Sequence, residues 1–434
     1  MTTHVDSSAR LLASRMVVVG LLIFSLAALA VTGQAIYFRL SYLWVLLLLG
    51  SWIWSLLALR GVRVRRETRT RRAQVGQTLE ERFIIENASR LPRLWVLVRD
   101  RFDLPGVESS RVLTLLKARE ERSYLVSTRL LRRGVYSFGP TELISGDPFG
   151  LFSTRQIMPA EDALLVYPKI FDVPAFFSPA GVLSGGEALR RRTHQITPNA
   201  AGVREYAPGD SLSRIHWVST ARRDRLMVKE FELDPLAEVW IFADAARDAH
   251  TALPYTRADL LKSFDAASRR VFLPPSTEEY MVSIVASLGR YFLRSGRAVG
   301  LVSCGQACLP SILPPDQGGR QLSKILEASA LLRAEGELSI LALVLAQRRH
   351  LPRGSTIVLV TPSVHRDVAV AADHLLQCGL RPMLVLIDAA SFGGPEGTKS
   401  LALTISGLGL PVYQVERDAD LAAALSGRGR NGRW

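Results

Sequence analysis

Two carboxylates and one imidazole stand close together along the chain, at Glu205, Asp210 and His216. Carboxylates and imidazole transfer protons in general acid–base catalysis, and the same groups also bind metal ions. The sequence pairs them with no nucleophile motif and no second histidine at ligand spacing, because the other histidines are scattered singly. A hydrolase that uses Asp210 and His216 is therefore kept as an alternative to a purely structural role for this segment.

Other patterns that could bind a metal ion or a nucleotide are incomplete in this sequence. Cys304 and Cys308 lie close together, but structural zinc needs four ligands, and the sequence has no second Cys/His pair nearby. With Cys378 they make three cysteines, which cannot all pair, so a reducing compartment is expected. Gly185-Gly186 and Gly318-Gly319 lack P-loop spacing and a following Lys-Ser/Thr. We therefore expect no cofactor, no small-molecule substrate and no nucleotide hydrolysis by this chain.

The elements that must position these residues begin with two apolar stretches, 16–32 and 40–59, that contain no charged residue. Each approaches the roughly 20 residues that a helix needs to cross the hydrocarbon core of a bilayer. They predict a transmembrane hairpin over 1–60 whose connecting loop is 33–39. A cleaved signal peptide ending near Ala28-Leu29-Ala30 is the competing interpretation, but a second full-length span follows at once.

The placement of basic residues predicts the orientation of this hairpin. Arg10 and Arg15 precede the first span, Arg39 alone lies in the connection, and a basic run at 60–72 follows the second span. The positive-inside rule then predicts a multi-pass protein of the cell membrane with both termini and the soluble body in the cytoplasm. The same run explains part of the formal charge of +14, so nucleic acid is not the expected partner. Binding of anionic lipid or nucleic acid by the basic stretches stays a second alternative.

The remaining length is too great for one ordinary core and predicts a multidomain protein. Short apolar runs, several of them alternating with period two, predict a β-sandwich-like middle domain over 73–175. A basic juxtamembrane segment, 61–72, precedes this domain, and a connecting segment, 176–234, follows it. The middle strands are predicted at 79–86, 94–98, 111–115, 123–130, 134–138 and 163–167.

From 235 to 425 the pattern changes to strands that alternate with helices, which predicts a Rossmann-like α/β domain. The strand runs are uninterrupted, as in strands that are covered on both faces. An open, mostly parallel sheet would place a ligand site at the carboxyl ends of its strands. A basic disordered tail is expected at 426–434. Strands are predicted at 239–243, 298–303, 356–361, 383–387 and 412–415, and helices at 278–293, 322–332 and 369–377.

A longer motif connects the two parts of the body. It consists of the runs GVREYAPGD at 202–210, RIHW at 214–217, ARR at 221–223 and VKEF at 228–231, and it resembles the signature of the bacterial family called domain of unknown function 58. The runs RGVY at 133–136 and DPFGLF at 147–152 extend the resemblance. The motif residues are Arg204, Glu205, Tyr206, Pro208, Gly209, Asp210, Arg214, His216, Trp217, Lys229 and Glu230.

The resemblance implies a two-helix anchor, a β-rich middle domain and a C-terminal domain of the von Willebrand factor A type. It also implies a partner, an AAA+ ATPase of the MoxR type. Within the motif, Pro208-Gly209 suits the centre of a type II turn, and Asp210 can cap a helix that brings Arg214, His216 and Trp217 within one turn. The motif is then a latch between the domains.

The metal site that the resemblance implies is degenerate here. A von Willebrand factor A module holds a divalent cation with an Asp-x-Ser-x-Ser loop, which corresponds to Asp244 through Asp248 with Ala246 and Asp248 at the serine positions. Arg320 stands where the assisting threonine is expected, so too few hard oxygen ligands remain. We hypothesise that the guanidinium of Arg320 pairs with Asp244 in place of the cation, the alternative being that Arg320 faces solvent. The leading expectation is a membrane-tethered, non-enzymatic protein-interaction module that works with a MoxR-type AAA+ ATPase in protein assembly or maturation.

Overall fold

The computed structural model describes residues 3–102, 104, 109–159, 162–176, 200–206, 215–231, 238–256, 258–261, 273–305 and 311–426. The chain forms two compact units, 1–167 and 168–434. The first contains two apolar helices and a strand-rich body, and the second is built around one six-stranded sheet. The predicted tail and most of the predicted connecting segment lie outside the described residues.

The two N-terminal helices are α1 (Thr3–Thr32) and α2 (Ala35–Ala58). Their parts Leu12–Thr32 and Ala35–Ala58 are long and apolar enough to cross a membrane. Only Gly33 and Gln34 separate the helices, so the loop predicted at 33–39 is wrong, and Arg39 lies within α2. The chain can turn this sharply because Gly33 adopts a φ of 65°.

The strand-rich body of the first unit consists of three sheets, ordered β1-β3-β6, β2-β10-β7 and β5-β4-β8-β9. The basic segment 61–72 contains a strand, because its valines alternate with arginines and form β1, which pairs antiparallel with β3. The strands are β1 Val62–Thr68, β2 Arg72–Gln74, β3 Thr78–Asn87, β4 Arg93–Asp100, β5 Ser109–Leu116, β6 Glu121–Arg129, β7 Gly134–Ser137, β8 Thr141–Gly146, β9 Ser153–Met158 and β10 Ala163–Tyr167.

One arginine of β1 points into this body. Arg66 forms ion pairs with Glu81 at 2.6 Å and with Asp100 at 2.9 Å, and both carboxylates are buried. Its guanidinium also lies over the rings of Phe83 and Phe138. Burial raises the pKa of Glu81, and the charge and hydrogen bond of Arg66 oppose that rise. The network is therefore a buried polar link between β1, β3 and β4.

The second unit has the sheet order β15-β14-β13-β16-β17-β18, in which every neighbouring pair is parallel except β14 with the antiparallel edge strand β15. Large apolar clusters cover both faces of this sheet. A separate hairpin of β11 and β12 carries α3. The elements are β11 Ala200–Glu205, α3 Trp217–Arg223, β12 Met227–Phe231, β13 Glu238–Ala243, α4 Thr277–Arg294, β14 Ala298–Ser303, β15 Ser311–Asp316, α5 Gly319–Leu331, α6 Ile340–Gln347, β16 Thr356–Thr361, α7 Asp367–Gln377, β17 Arg381–Ile387, α8 Thr398–Gly407, β18 Val412–Val415 and α9 Leu421–Leu425.

The segment that follows β10 packs on the second unit, so the domain boundary predicted at 175 is wrong. The amide of Phe171 donates to the Ser287 hydroxyl of α4 at 2.9 Å. The ring of Phe176 stacks on that of Tyr413 with their centroids 4.5 Å apart. The boundary lies at Tyr167–Pro168 because the apolar side chains after it complete the core around α4.

Candidate functional site

The strand order reverses between β13 and β16, so the carboxyl ends of these two strands form the topological switch point of the sheet. The chain leaves β13 to form β14 on one side and later returns to form β16 on the other side. Such a reversal opens a gap beyond the strand ends, where ligands of open α/β sheets usually bind. Asp244 follows β13 directly, and Thr361 is the last residue of β16. Both therefore lie at this switch point.

Asp244 is a buried carboxylate with internal hydrogen bonds. Its side chain is 2% exposed. The hydroxyl of Thr361 donates to one carboxylate oxygen at 2.5 Å, and the amide of Ala246 donates to the other at 3.2 Å. The Thr361 hydroxyl in turn accepts from the amide of Ser363 at 2.9 Å, which fixes its orientation.

Burial raises the pKa of Asp244, because a carboxylate loses its hydration inside the protein. The hydrogen bond from Thr361, the charge of His250 and the amide of Ala246 act in the opposite direction and are smaller. A buried acid with a raised pKa at a switch point is a candidate for binding or proton transfer.

His250 links this loop to the start of α4. Its Nε2 lies 2.6 Å from the carbonyl oxygen of Asp244, and since a carbonyl only accepts, Nε2 carries the hydrogen. Its Nδ1 lies 3.0 Å from the hydroxyl of Thr277, the buried first residue of α4. That hydroxyl also lies 3.1 Å from the carbonyl of Thr251 and can donate its single hydrogen to only one of the two acceptors. Each ring nitrogen therefore lies within hydrogen-bond distance of a fixed protein group, which favours a positioning role for His250.

A glycine of the neighbouring loop holds the Asp244 loop from the other side. The amide of Gly336 donates to the carbonyl of Ala245 at 2.9 Å, and its own carbonyl accepts from Arg247 at 2.8 Å. A Cβ at this position would overlap the carbonyl oxygen of Cys304 and would lie 3.0 Å from that of Ala245. Only glycine fits between these two backbone segments.

The residues of the expected degenerate metal site do not all come together. Ala246 lies in the Asp244 loop, and Asp248 is exposed in the short 3-10 turn that follows. Arg320 is exposed in the first turn of α5, and between these two described side chains the hypothesised ion pair with Asp244 is not formed. The reason is topological. Because β15 is antiparallel, Asp316 at its end pairs with Val299 at the start of β14. The helix α5 therefore begins near the amino ends of the parallel strands, whereas Asp244 lies at their carboxyl ends.

Within the described ranges, His, Cys, Asp and Glu side chains form no group of three or more that could hold a metal ion. The polar groups that do surround Asp244 are hydroxyls and backbone amides. This arrangement can orient and neutralise a buried carboxylate.

The motif segment forms a hairpin that carries a short helix. β11 pairs antiparallel with β12, with Glu205 opposite Met227, and the amide of Tyr206 donates to the carbonyl of Leu226 at 2.8 Å. His216 is not helical. It is the N-cap of α3, and its Nδ1 accepts from the amide of Ser219 at 3.3 Å.

The helix predicted to follow Asp210 does not run continuously to Trp217, because Ile215 forms a β-bridge with Val228. Glu205 pairs with Arg225 at 2.9 Å, and His216 bonds to Ser219. Arg204, Lys229 and Glu230 lie on the paired strands. Pro208, Gly209, Asp210 and Arg214 are outside the described residues, so the turn, the cap and the Asp210/His216 pair stay predictions.

Trp217 and Val218 begin α3 with exposed side chains, Trp217 being 68% exposed. Leu226, after α3, is also exposed, and so are Arg222 and Arg223 in the last turn of the helix. An exposed tryptophan beside arginines is typical of a protein-contact surface.

Sequence reasoning missed His250, Thr277 and Gly336. His250 and Gly336 carried no pattern, because the contacts that give them roles join segments distant in sequence. The position of Thr277 at the start of the helix predicted at 278–293 was the available signal, since the start of a helix often binds loop groups. In the structure the Ser276 side chain makes no cap hydrogen bond.

The raised pKa of Asp244 leads to a prediction for Asp244→Asn. A carboxyl whose pKa is raised on folding contributes stability below its unfolded pKa, about 3.9, and that contribution is lost as the pH rises through the folded value. We expect Asp244→Asn to stabilise the second unit by about 1 kcal/mol at neutral pH, or roughly 2–4 °C in its thermal transition. The gain should shrink as the pH falls towards about 4.

The matched control is Asp248→Asn, which removes an exposed carboxylate from the same loop. Scanning calorimetry of the full-length protein at several pH values measures both variants. Equal transitions for Asp244→Asn and the parent at neutral pH would show that the burial of Asp244 costs no stability.

Comparisons with known proteins give one family match and one distant relative. Residues 202–387 match the family model described as Protein of unknown function DUF58. The uncharacterized protein YeaD of Bacillus subtilis is 25% identical over 315 residues, which cover 70% of each chain.

Similar solved structures include the CARDB domain of the PF1109 protein from Pyrococcus furiosus, with 12% identity, a TM-score of 0.17 and coverage of 24% of this chain and 91% of that one. Proximal thread matrix protein 1 from the mussel byssus matches with 13% identity, a TM-score of 0.30 and coverage of 44% of this chain and 46% of that one.

Proposed function

We propose that this chain is a membrane-tethered, non-enzymatic protein-interaction module that works with a MoxR-type AAA+ ATPase in the assembly or maturation of other proteins. The ATPase is proposed because the motif at 202–231 resembles the domain of unknown function 58 family, and 202–387 match the corresponding model. The tether is the pair of helices α1 and α2, which are long and apolar enough to span a membrane. The body is proposed to lie in the cytoplasm, and the support is that arginines flank the outer ends of the pair.

The second unit is proposed to be a von Willebrand factor A-type domain. Its support is a central parallel sheet with an antiparallel edge strand, β15, and an aspartate at the end of the central strand β13. In this proposal the unit contacts its partner through loops and side chains rather than through a shared cation. The support is that the side chain of Ala246 offers no ligand oxygen, and that Arg320 lies in the first turn of a helix that begins near the amino ends of the parallel strands.

The observation that carries the proposed interaction is the exposed Trp217. It lies in the segment that matches the family model, on a hairpin whose backbone is fixed by paired strands. Folding normally buries much of a large aromatic side chain against apolar groups, but the side chain of Trp217 is 68% exposed to solvent. Tryptophan and arginine are the residues that most often dominate binding energy at protein interfaces.

We expect Trp217→Ala to abolish most of the binding to the ATPase. Loss of one central aromatic contact costs about 2 kcal/mol or more, which corresponds to roughly 30-fold weaker binding. The full-length protein is isolated from its native membrane with its partners, with and without ATP, and the recovered AAA+ ATPase is quantified.

The control is Leu403→Ala, which removes an equally exposed apolar side chain from α8, outside the family segment. Thermal unfolding checks that both variants keep the parent's stability. The proposed function fails if the parent recovers no AAA+ ATPase under any nucleotide condition. The assignment of the contact to Trp217 fails if both variants retain the ATPase equally.

A further inference from the structure

The loop between β8 and β9 presents Phe149 outward, while Leu151 and Phe152 face the protein. Phe149 is 63% exposed, whereas Leu151 is buried and Phe152 is half-buried. The loop is not loosely held. The carboxylate of Asp147 is buried and accepts from the amide of Phe149 at 2.9 Å and from that of Phe152 at 2.6 Å. These hydrogen bonds fix the backbone of the turn, with the side chain of Phe149 exposed to solvent.

This turn is attached to the first apolar helix. The guanidinium of Arg15, on α1, donates to the carbonyl of Leu151 and lies over the ring of Phe152, 4.6 Å from its centroid. The second apolar helix, α2, packs against both β8 and β9. The hairpin of β8 and β9 thus contacts both helices within the first unit.

The height of this contact along the helices follows from helix geometry. The helices are joined at Gly33 and Gln34, and Arg15 and Trp52 stand equally far from that joint. At about 1.5 Å per residue the distance is roughly 27 Å, close to the thickness of the hydrocarbon core, about 30 Å. If the joint lies at one face of a bilayer, Arg15 and Trp52 lie at the other. Trp52 and Trp54 are exposed there, as is typical of interfacial tryptophans.

We propose that Phe149 inserts into the membrane interface and anchors the strand-rich body against the bilayer. Arg15 brings the turn to the level of the lipid headgroups, and the turn directs a free aromatic ring outward at that level. An aromatic ring exposed beside a spanning helix has acyl chains and headgroups as its available contact. The occupant is thus the lipid bilayer, and the inference rests on the proposed membrane tether.

Depth measurement in lipid tests this inference on the full chain. The three cysteines are replaced by alanine, and single cysteines are introduced as Phe149→Cys, Leu46→Cys or Val135→Cys and labelled with an environment-sensitive fluorophore. Each protein is reconstituted into phosphatidylcholine and phosphatidylglycerol vesicles, with or without bromine on the acyl chains. Leu46 lies in the middle of α2. Val135 is an exposed apolar control on β7, in the sheet that contains β2.

We expect the control to lie away from the membrane, since β1, roughly 23 Å long at 3.3 Å per residue, separates α2 from β2 along the chain. We expect brominated lipid to quench the label at 46 most, the label at 149 to an intermediate extent and the label at 135 not at all. Quenching at 46 with equal, negligible quenching at 149 and 135 overturns the role of Phe149 and leaves the tether intact. An absence of quenching at 46 overturns the tether, and the inference with it.

Discussion

Gly336→Ala is expected to destabilise the second unit by about 3 kcal/mol or more, at the upper end of overpacking effects. The added Cβ would overlap the carbonyl oxygen of Cys304, and a backbone atom cannot rotate away as a flexible side chain can. To relieve the overlap, the loop must move away from Ala245, which breaks the two hydrogen bonds that hold the Asp244 loop. Thermal unfolding of the full-length protein measures the loss.

Gly319→Ala is the matched control for this substitution. A Cβ at Gly319 would meet no atom within 4 Å, and the residue is the first of α5, where alanine is a good helix former. We expect a change within about 0.5 kcal/mol for the control. Amide hydrogen exchange over 244–250 should accelerate in Gly336→Ala alone. Equal stability and equal exchange in the two variants would mean that the Gly336 loop does not support the Asp244 loop.

The strands that the sequence predicted well are those with simple apolar patterns. β13, β16 and β17 are uninterrupted apolar runs, and both faces of each are buried as that pattern indicates. In the first unit, the alternation around Phe83 and Ile85 predicted β3, and both side chains are fully buried. The local sequence pattern was sufficient to predict a strand wherever the burial of that strand depends only on apolar side chains.

The missed strands are stabilised by features that a local pattern does not contain. β15 includes Pro314 and Pro315, which are compatible with a strand only because β15 is an edge strand that pairs with β14 alone. β8 buries Glu142 and Ser145, because Arg155 pairs with Glu142 and Ser145 donates to the carbonyl of Trp95. Such polar residues enter a core only when distant partners satisfy them.

The sheet brings together only some of the residues that the sequence assigned to the strand ends. Parallel strands predicted a crevice after Ala243 and Thr361, and the sheet places Asp244 and Thr361 together there. Arg320 was assigned to the same crevice from its place after a glycine pair. Because β15 runs antiparallel to β14, that glycine pair lies near the amino ends of the parallel strands instead. The direction of a strand cannot be deduced from the order of loops in a sequence.

The link between the two apolar helices and the strand-rich body depends on β1, which follows α2 after only a short turn. We expect Arg66→Ala, on β1, to cost 3–5 kcal/mol, about the usual loss when one partner of a buried ion pair is removed. The substitution leaves Glu81 and Asp100 buried without their shared counter-charge and removes the cation from the rings of Phe83 and Phe138. Chemical denaturation of the full-length protein in detergent, followed by the transition of the first unit, measures this loss.

The pH dependence of the loss separates charge from packing. Burial already raises the pKa of Glu81, and removal of Arg66 takes away the main opposing contribution, so the pKa rises further. A carboxyl with a raised folded pKa destabilises the fold above that pKa and ceases to do so below its unfolded value, about 4.3. The deficit of Arg66→Ala should therefore narrow as the pH falls towards that value, whereas a deficit caused by lost packing alone would not.

Two further variants complete the test. Arg65→Ala removes the neighbouring arginine, whose side chain is 79% exposed, and should change the stability by no more than about 0.5 kcal/mol. The triple variant Arg66→Met, Glu81→Gln and Asp100→Asn removes all three charges and should recover most of the loss, because neutral groups cost less to bury than unpaired charges. If Arg66→Ala is no more harmful than Arg65→Ala, the buried network does not hold β1 in place. β1 would then be held by the antiparallel pairing with β3 and the burial of Val62.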